Sequence, residues 1–278
     1  MHIGTVQELW RYPVKSMGGE RLDAAAVDSG GIANDRGWAL QETATGKVAS
    51  AKNPRAFRTL LDYTATAGGD SADAVVTVTG PEGFEVQSSD DSHGTRLSHA
   101  IGRPLTLERA GEVDALYESE WPDMDGLVIS NMTLDLPVAM STEKTSFVDL
   151  AAIHLLSTSS LRALTTQAPE SAIDVRRFRP NLVIDTGDEE GFIDADWVGH
   201  DLAIGDHVVL RVSDNATRCV MTTLAQGALV QDRAVLKTLA ANNQQEFGGL
   251  GRSACFGVYA EVVSGGSIRV GDDVSRQS

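Results

Sequence analysis

Apolar and polar positions alternate with a period of two over much of the chain, the mark of strands half-buried against a core. The stretch "IGTVQELWRYP" alternates and stops at Pro13. "GWALQETATGKVAS" has strand-like ends around turn residues Thr45 and Gly46, and "AVVTVTGPEGFEVQ" is two β runs joined by Gly-Pro-Glu-Gly. Both read as hairpins. A Gly/Asp/Ser loop, "TATAGGDSADA", separates them, and "LSHAIGRPLTLERA" predicts a short helix followed by a strand. From Gly111 to Phe147 periodic apolar positions are few, and "WPDMDGLVISNMTLDLP" predicts a long connection with a boundary between 110 and 145. Helical spacing then appears twice. In "LLSTSSLRALTTQA", Ser157 is a candidate N-cap before Leu161 and Leu164, and "AVLKTLAANNQ" carries Val235, Leu236 and Leu239 on one face. The remainder predicts strands: "FRPNLVID", "HVVLRVS", "CFGVYAEVV" and "SIRVGDDV". No fixed-period repeat is present. The pattern therefore predicts a mainly β chain with some helices (α+β) around a barrel-like core.

Composition narrows the classes. A length of 278 residues with 42% hydrophobic positions suffices for one large domain or two modest ones. No segment reaches the roughly 18 apolar residues of a membrane span, and the N-terminus lacks a basic start followed by an apolar run. Two cysteines form at most one disulfide, so a reduced, cytoplasmic setting is the expectation. A formal net charge of −16 speaks against a nucleic-acid surface, which needs clustered Lys and Arg.

Against that acidic background, "RRFRPN" places three arginines in four positions. On an extended strand Arg177, Arg179 and Asn181 would share one side, with Phe178, Leu182 and Ile184 on the other. Guanidinium forks suit phosphate or carboxylate, so the cluster is either an anion pocket or a set of ion pairs with acids such as Asp174 and Asp185. Lys15 and Ser16 in "YPVKS" follow a proline-ended strand on a loop, and Asp35 and Arg36 precede Gly37 and Trp38; both pairs could hold an anion or merely be solvated. In "NATRCVMTT", Cys219 follows Arg218. A neighbouring cation favours the thiolate that binds soft metals, and the plain alternative is a small buried hydrophobe. Cys255, in an apolar run, reads as a core thiol.

Taken in order, "RYPVKSMGG", "DRGWAL", "RRFRPNLVID", "DADWVGHDLAIGD", "TRCVMTT" and "FGVYAEVVSGGSIRVGDDV" resemble the MOSC-domain family, named for the C-terminal domain of molybdenum cofactor sulfurase. The resemblance is to the branch with an N-terminal MOSC β-barrel, which includes the mitochondrial amidoxime reducing component, and its motifs span nearly the whole chain. It implies an N-terminal MOSC β-barrel domain at 1–110, a connecting segment at 111–145 and a MOSC domain at 146–278. It also implies a molybdenum cofactor, a molybdopterin carrying Mo, with Cys219 as metal ligand and catalytic residue. Family positions that hold the pterin and its phosphate fall on Lys15, Ser16, Arg36, Arg179 and Asn181, with Thr217 and Arg218 lining the cysteine loop. Asp149 in "FVDLAAIHLLS" fits the pattern, and Arg177 is counted with its cluster. Two departures stand out: "LAQGALVQD" replaces an acidic, proline-containing turn, and Ala151 stands where a hydroxyl residue can occur.

The implied reaction is reduction of N-hydroxylated or related N-oxygenated compounds by two-electron oxygen-atom transfer. A plant-type [2Fe–2S] cluster takes four cysteines, so two cysteines without C-x-x-C call for a separate reductase, a flavin, iron–sulfur or haem protein. The alternative function is a carrier that binds the molybdenum cofactor, or a sulfur on Cys219, without turnover; a third is a scaffold that binds a small anion in the old pocket. The chain is too short to hold an aminotransferase-like domain as well, so pyridoxal phosphate is not expected. Scattered histidines without H-E-x-x-H give no zinc motif. "DTGDEEGFIDADW" lacks calcium-loop spacing, and there is no G-x-S-x-G or phosphate loop followed by lysine.

Overall fold

The structure is a computed structural model, and it describes residues 1–111, 116–121, 132–138, 146–247 and 251–277. Seven strands close a β-barrel: β1 (His2–Arg11), β2 (Ile153–Ser157), β3 (Leu182–Asp185), β4 (Asp201–Ile204), β5 (Val208–Thr217), β6 (Arg252–Ser264) and β7 (Asp273–Arg276). Their order is β2-β3-β1-β7-β4-β5-β6, and β6 pairs back with β2 to complete the ring. Closure removes the unpaired edges an open sheet would expose. The first strand is thus seated between β3 and β7 from the far end of the chain, with Leu9 opposite Leu182 and Thr5 opposite Asp273.

The barrel fills from inward-facing positions. Val6, Leu9, Leu155, Ile184, Leu210 and Val258 belong to one buried cluster. Every position of β2 is buried, because Ile153 and Leu155 face that interior while Leu156 packs outward against Leu164, Leu236 and Phe256. A strand covered on both faces shows no alternation. The outer cover consists of helices Thr158–Gln167 and Ala234–Asn242, the first capped by the Ser157 side chain accepting from Ser160 N–H.

The N-terminal half forms small sheets around its own core, which includes Val14, Met17, Leu40, Leu60, Val78 and Leu107. Val76–Thr79 and Glu85–Gln87 pair as the expected hairpin, and helix His93–Ile101 precedes strand Leu105–Arg109 as the sequence predicts. The other expected hairpin is reduced to one bridge, Gln41 to Val48, because strand Trp38–Glu42 finds its ladder on Leu105–Arg109 instead.

Two further expectations are corrected. The segment expected as a plain connection contains paired strands, Leu116–Trp121 and Met132–Pro137, while its positions 112–115, 122–131 and 139–145 lie outside the described residues. The "RRFRPN" cluster is not an extended strand. Val175–Arg177 is a 3-10 turn whose Arg176 N–H is capped by the Asp174 side chain, Arg179 sits at φ +57°, and β3 begins only at Leu182. Pro180 supplies the reason, since the residue before proline is excluded from the right-handed helical region and the turn must end there.

Gly257 lies in β6 at φ +79°, and a Cβ there would stand 2.3 Å from Leu155 O and 2.5 Å from His154 Nε2. Gly257→Ala should therefore lower stability by about 3 kcal/mol, read by chemical denaturation, because strain and overlap add at the seam where the barrel closes; an unchanged midpoint would show that the seam yields.

The carboxyl of Asp194 is buried, accepts from Ser157 N–H at 2.9 Å, and is pushed up to about 6 by burial. The folded state holds this proton more tightly than the unfolded chain, so its stabilising contribution is complete below the ordinary carboxyl range and is lost as pH rises through about 6. The stability difference between wild type and Asp194→Asn should change by about 2–3 kcal/mol between pH 4 and 6.5. Parallel curves across that window would mean that Asp194 does not titrate there.

Candidate functional site

Lys15 and Ser16 leave β1 on a loop held by a bridge from Val14 to Trp38 and by Ser16 itself, whose Oγ accepts from Ala51 N–H at 3.0 Å and whose φ is +65°. This loop forms one wall of a cavity of about 310 Å³. All ten residues nominated from the sequence border it. They reach it from the 12–18 loop, the Asp35–Arg36 turn, the 146–150 segment, the 175–181 turn and the end of β5.

The charged groups are arranged around one carboxylate. Asp149 accepts from Lys15 Nζ at one oxygen and from Lys52 Nζ, 3.0 Å away, at the other. Lys15 also donates to Phe147 O at 2.8 Å, and both ammonium groups lie over the Tyr117 ring, at 4.7 and 5.1 Å. Burial opposes ionisation of the Asp149 carboxyl, but the two lysines overcome it and hold its pKa well below the usual carboxylate range. Burial also works against both ammonium charges. It prevails at Lys15, whose pKa is lowered, whereas at Lys52 the fields of Asp149, Tyr117 and Cys219 prevail and raise it well above the usual value.

A second layer is built on arginine. Arg36 pairs with buried Asp35 and donates to Arg179 O at 3.2 Å; Arg179 donates to Met17 O. Tyr12 is bracketed by the two guanidinium groups, 4.6 and 4.2 Å from its ring centre. Burial and the neighbouring Arg36 lower Arg179 to about 10. Asn181 spans three elements: its Oδ1 accepts from His154 N–H and from Arg36, and its Nδ2 donates to Trp10 O. The Asn181 amide thus has an anchoring job within the fold.

Two arginines depart from their sequence roles. Arg177 is 1% exposed, and its guanidinium donates to the carbonyls of Ala172, Thr222, Leu224 and Val230, so it braces the loop after Cys219. Arg176, not Arg177, forms the ion pair with Asp174. Arg218 stands beside Cys219 in sequence, but its guanidinium donates to Ala216 O, Phe178 O and His154 Nε2. Burial, then Arg218, holds the His154 pKa well below its ordinary value, and Nε2 lies 3.1 Å from Arg218 and 3.2 Å from Phe256 O.

Cys219 is a free, half-exposed thiol on the cavity wall at the entrance to the 3-10 turn Val220–Thr223, with Thr217 beside it at the end of β5. Cys255 is buried, and burial pushes its thiol up to about 11, in keeping with a core role. Lys52, Tyr117, His154 and Tyr259 also border the cavity. The sequence reading missed all four. A single lysine before Asn-Pro, or a lone aromatic in a strand, has no local signal; only the fold brings them to the cysteine.

A model of the MOSC domain matches residues 142–275, and one of the MOSC N-terminal beta barrel domain matches residues 3–119. The chain belongs to the MOSC-domain family. This MOSC-domain protein is 26% identical over 292 residues to mitochondrial amidoxime reducing component 2 of Bos taurus, covering 98% of this chain and 83% of the relative. It is 28% identical to molybdenum cofactor sulfurase of Oryza sativa subsp. japonica over 84% of this chain, which is 30% of that much longer relative. Among solved structures, the YUAD protein from Bacillus subtilis aligns with a TM-score of 0.43 at 11% identity, over 98% of this chain and 93% of that one. Among the described residues of the MOSC-domain protein no helix is long and apolar enough to cross a membrane.

Replacing the Arg177 guanidinium should cost stability. Arg177→Met is expected to lower unfolding free energy by about 3 kcal/mol, because buried carbonyls lose charged donors, and Arg177→Lys should recover little of it for want of a fork. Denaturant titration of both variants reads the outcome; unchanged stability would return Arg177 to the anion pocket.

Proposed function

We propose that this MOSC-domain protein is a molybdenum-cofactor-dependent oxidoreductase that reduces N-hydroxylated compounds with electrons from a separate reductase. The observation that carries the reading is a free, half-exposed Cys219 opening into a cavity bordered by Lys15, Lys52, Arg36, Arg179 and Arg218. Among the described residues no three His, Cys, Asp or Glu side chains gather to hold a metal by themselves. One thiol fits a metal whose other ligands come with a cofactor, and the cations fit an anionic pterin phosphate. The donor set therefore suits the group.

When bound, the cofactor supplies two-electron oxygen-atom chemistry. The chain supplies the rest. Cys219 Sγ is the proposed metal ligand, with Thr217 beside it. Arg36 and Arg179, fixed by Asp35, Met17 O and Tyr12, are set to receive the phosphate without reorganisation. Lys15 and Lys52 are held apart and in place by Asp149. Burial keeps the phenols of Tyr117 and Tyr259 protonated, their pKa values being raised, so both stay hydrogen-bond donors at the cavity wall. Overall, an N–OH group, two electrons and two protons become N–H and water.

Expression in a cofactor-competent host, followed by molybdenum and pterin quantification and a reduced-dye assay, tests this. Wild type should carry near-stoichiometric molybdenum and pterin and turn over. Cys219→Ala should be inactive even where pterin remains. Arg179→Ala should lose occupancy through a contact worth about 1.5–3 kcal/mol. Undiminished turnover by metal-loaded Cys219→Ala would remove the ligand assignment, while cofactor released to an apo-acceptor without any turnover would favour a carrier.

A further inference from the structure

The hairpin of Leu116–Trp121 and Met132–Pro137 has two unlike faces. Direct pairing sets Tyr117 opposite Leu136 and Ser119 opposite Leu134, which puts these four side chains on one face. Glu118 and Asp135 share the other, where both approach Lys47. The apolar face is the one turned to the cavity: Leu134 and Leu136 border it beside Tyr117, and Val148, Met221 and Phe247 continue the wall. Leu134 nevertheless remains 38% exposed. A leucine that faces a cavity without being covered is poised to bury its surface against a ligand.

The polar side of the same cavity has no free carboxylate for a cation among the described residues. Among the described residues that border it, Asp149 is the only carboxylate, and its oxygens are occupied by Lys15 and Lys52. The Tyr117 ring, which could stack against a cation, already carries those two ammonium groups. A charged body placed against Leu134, Leu136 and Val148 would lose its hydration without gaining a partner.

We propose that the wall formed by Leu134, Leu136, Val148, Met221 and Phe247 is the subsite for the carbon body of the substrate, and that it selects uncharged, apolar-bodied amidoximes over cationic ones. The inference rests on the function proposed above. In the balanced step an amidoxime takes two electrons from the reductase or a reduced dye and two protons; its N–O bond breaks, and an amidine and water result. The amidine is a strong base that protonates. The cation so formed meets an apolar wall with no free carboxylate among the described residues, which favours its departure.

Calorimetric titration of the cofactor-loaded full chain with benzamidoxime and with its 4-trimethylammonium analogue, run alongside dye-coupled turnover of both, tests the proposal. The cationic analogue should bind at least about tenfold more weakly and show a correspondingly lower kcat/KM. Leu134→Asp places a free carboxylate in the wall; it should weaken benzamidoxime binding about fivefold and strengthen binding of the analogue, a reversal that general damage to the fold would not produce. Thr133→Asp, on the opposite face of the hairpin, should change neither affinity. Equal affinity for the two ligands, no binding by either, or Leu134→Asp moving both in the same direction would overturn the proposed selection. Selective binding without any reduction would leave the selection standing and remove the function on which it was built.

Discussion

Everything at the cavity depends on one topological constraint, the seating of β1 between β3 and β7. The ring cannot close without it, because β3 and β7 have no other common neighbour. The same strand then runs straight into Tyr12, Lys15 and Ser16, so the closure that fixes the barrel also fixes the position of the N-terminal wall of the cavity. A second tie, strand Gly266–Arg269 on Ala24–Asp28, locks the two ends of the chain together again. Because its lining comes from segments as far apart as Lys15, Asp149, Arg179 and Cys219, the site exists only in the assembled fold.

The cavity gathers cations in a protein whose net charge is −16, and such a cluster repels itself when buried. The structure offsets that repulsion by spending few acids at fixed points. Asp149 serves two lysines, and Asp35 serves Arg36 while also accepting from Tyr12 N–H at 2.8 Å. Backbone carbonyls do the remainder: Arg177, Arg179 and Arg218 all end on them. Carbonyls satisfy guanidinium donors without cancelling the charge. The site therefore keeps a positive field while its donors remain paired.

How much of this was legible depends on how local each signal is. Half-buried strands such as β1 and β5 announce themselves by alternation, and Ser157 marks its helix by capping chemistry. β2 is buried on both faces, so its pattern gave only an apolar run. The "RRFRPN" stretch misled for a clear reason: period-two reasoning presumes an extended backbone, and Asp174 with Pro180 turns it into a 3-10 turn ending at a left-handed Arg179. The paired strands in the presumed connection were missed because Glu118, Glu120 and Asp135 interrupt the apolar signal on their outer face. Lys52 was invisible, since its importance comes entirely from Asp149 and Tyr117, residues far along the chain.

The neighbour of Cys219 in sequence makes the same point in chemical terms. Arg218 looks like the group that would tune the thiol, yet its guanidinium is directed to Ala216 O, Phe178 O and His154. Its work is to join the cysteine loop to the 175–181 turn and to β2. Lys52, delivered by the N-terminal half and steadied by a carboxylate from the segment before β2, borders the same cavity as Cys219. A thiol beside the barrel thus shares its cavity with groups from both halves of the chain. Loss of the Lys52–Asp149 pair would alter the cavity without touching the barrel that carries the cysteine.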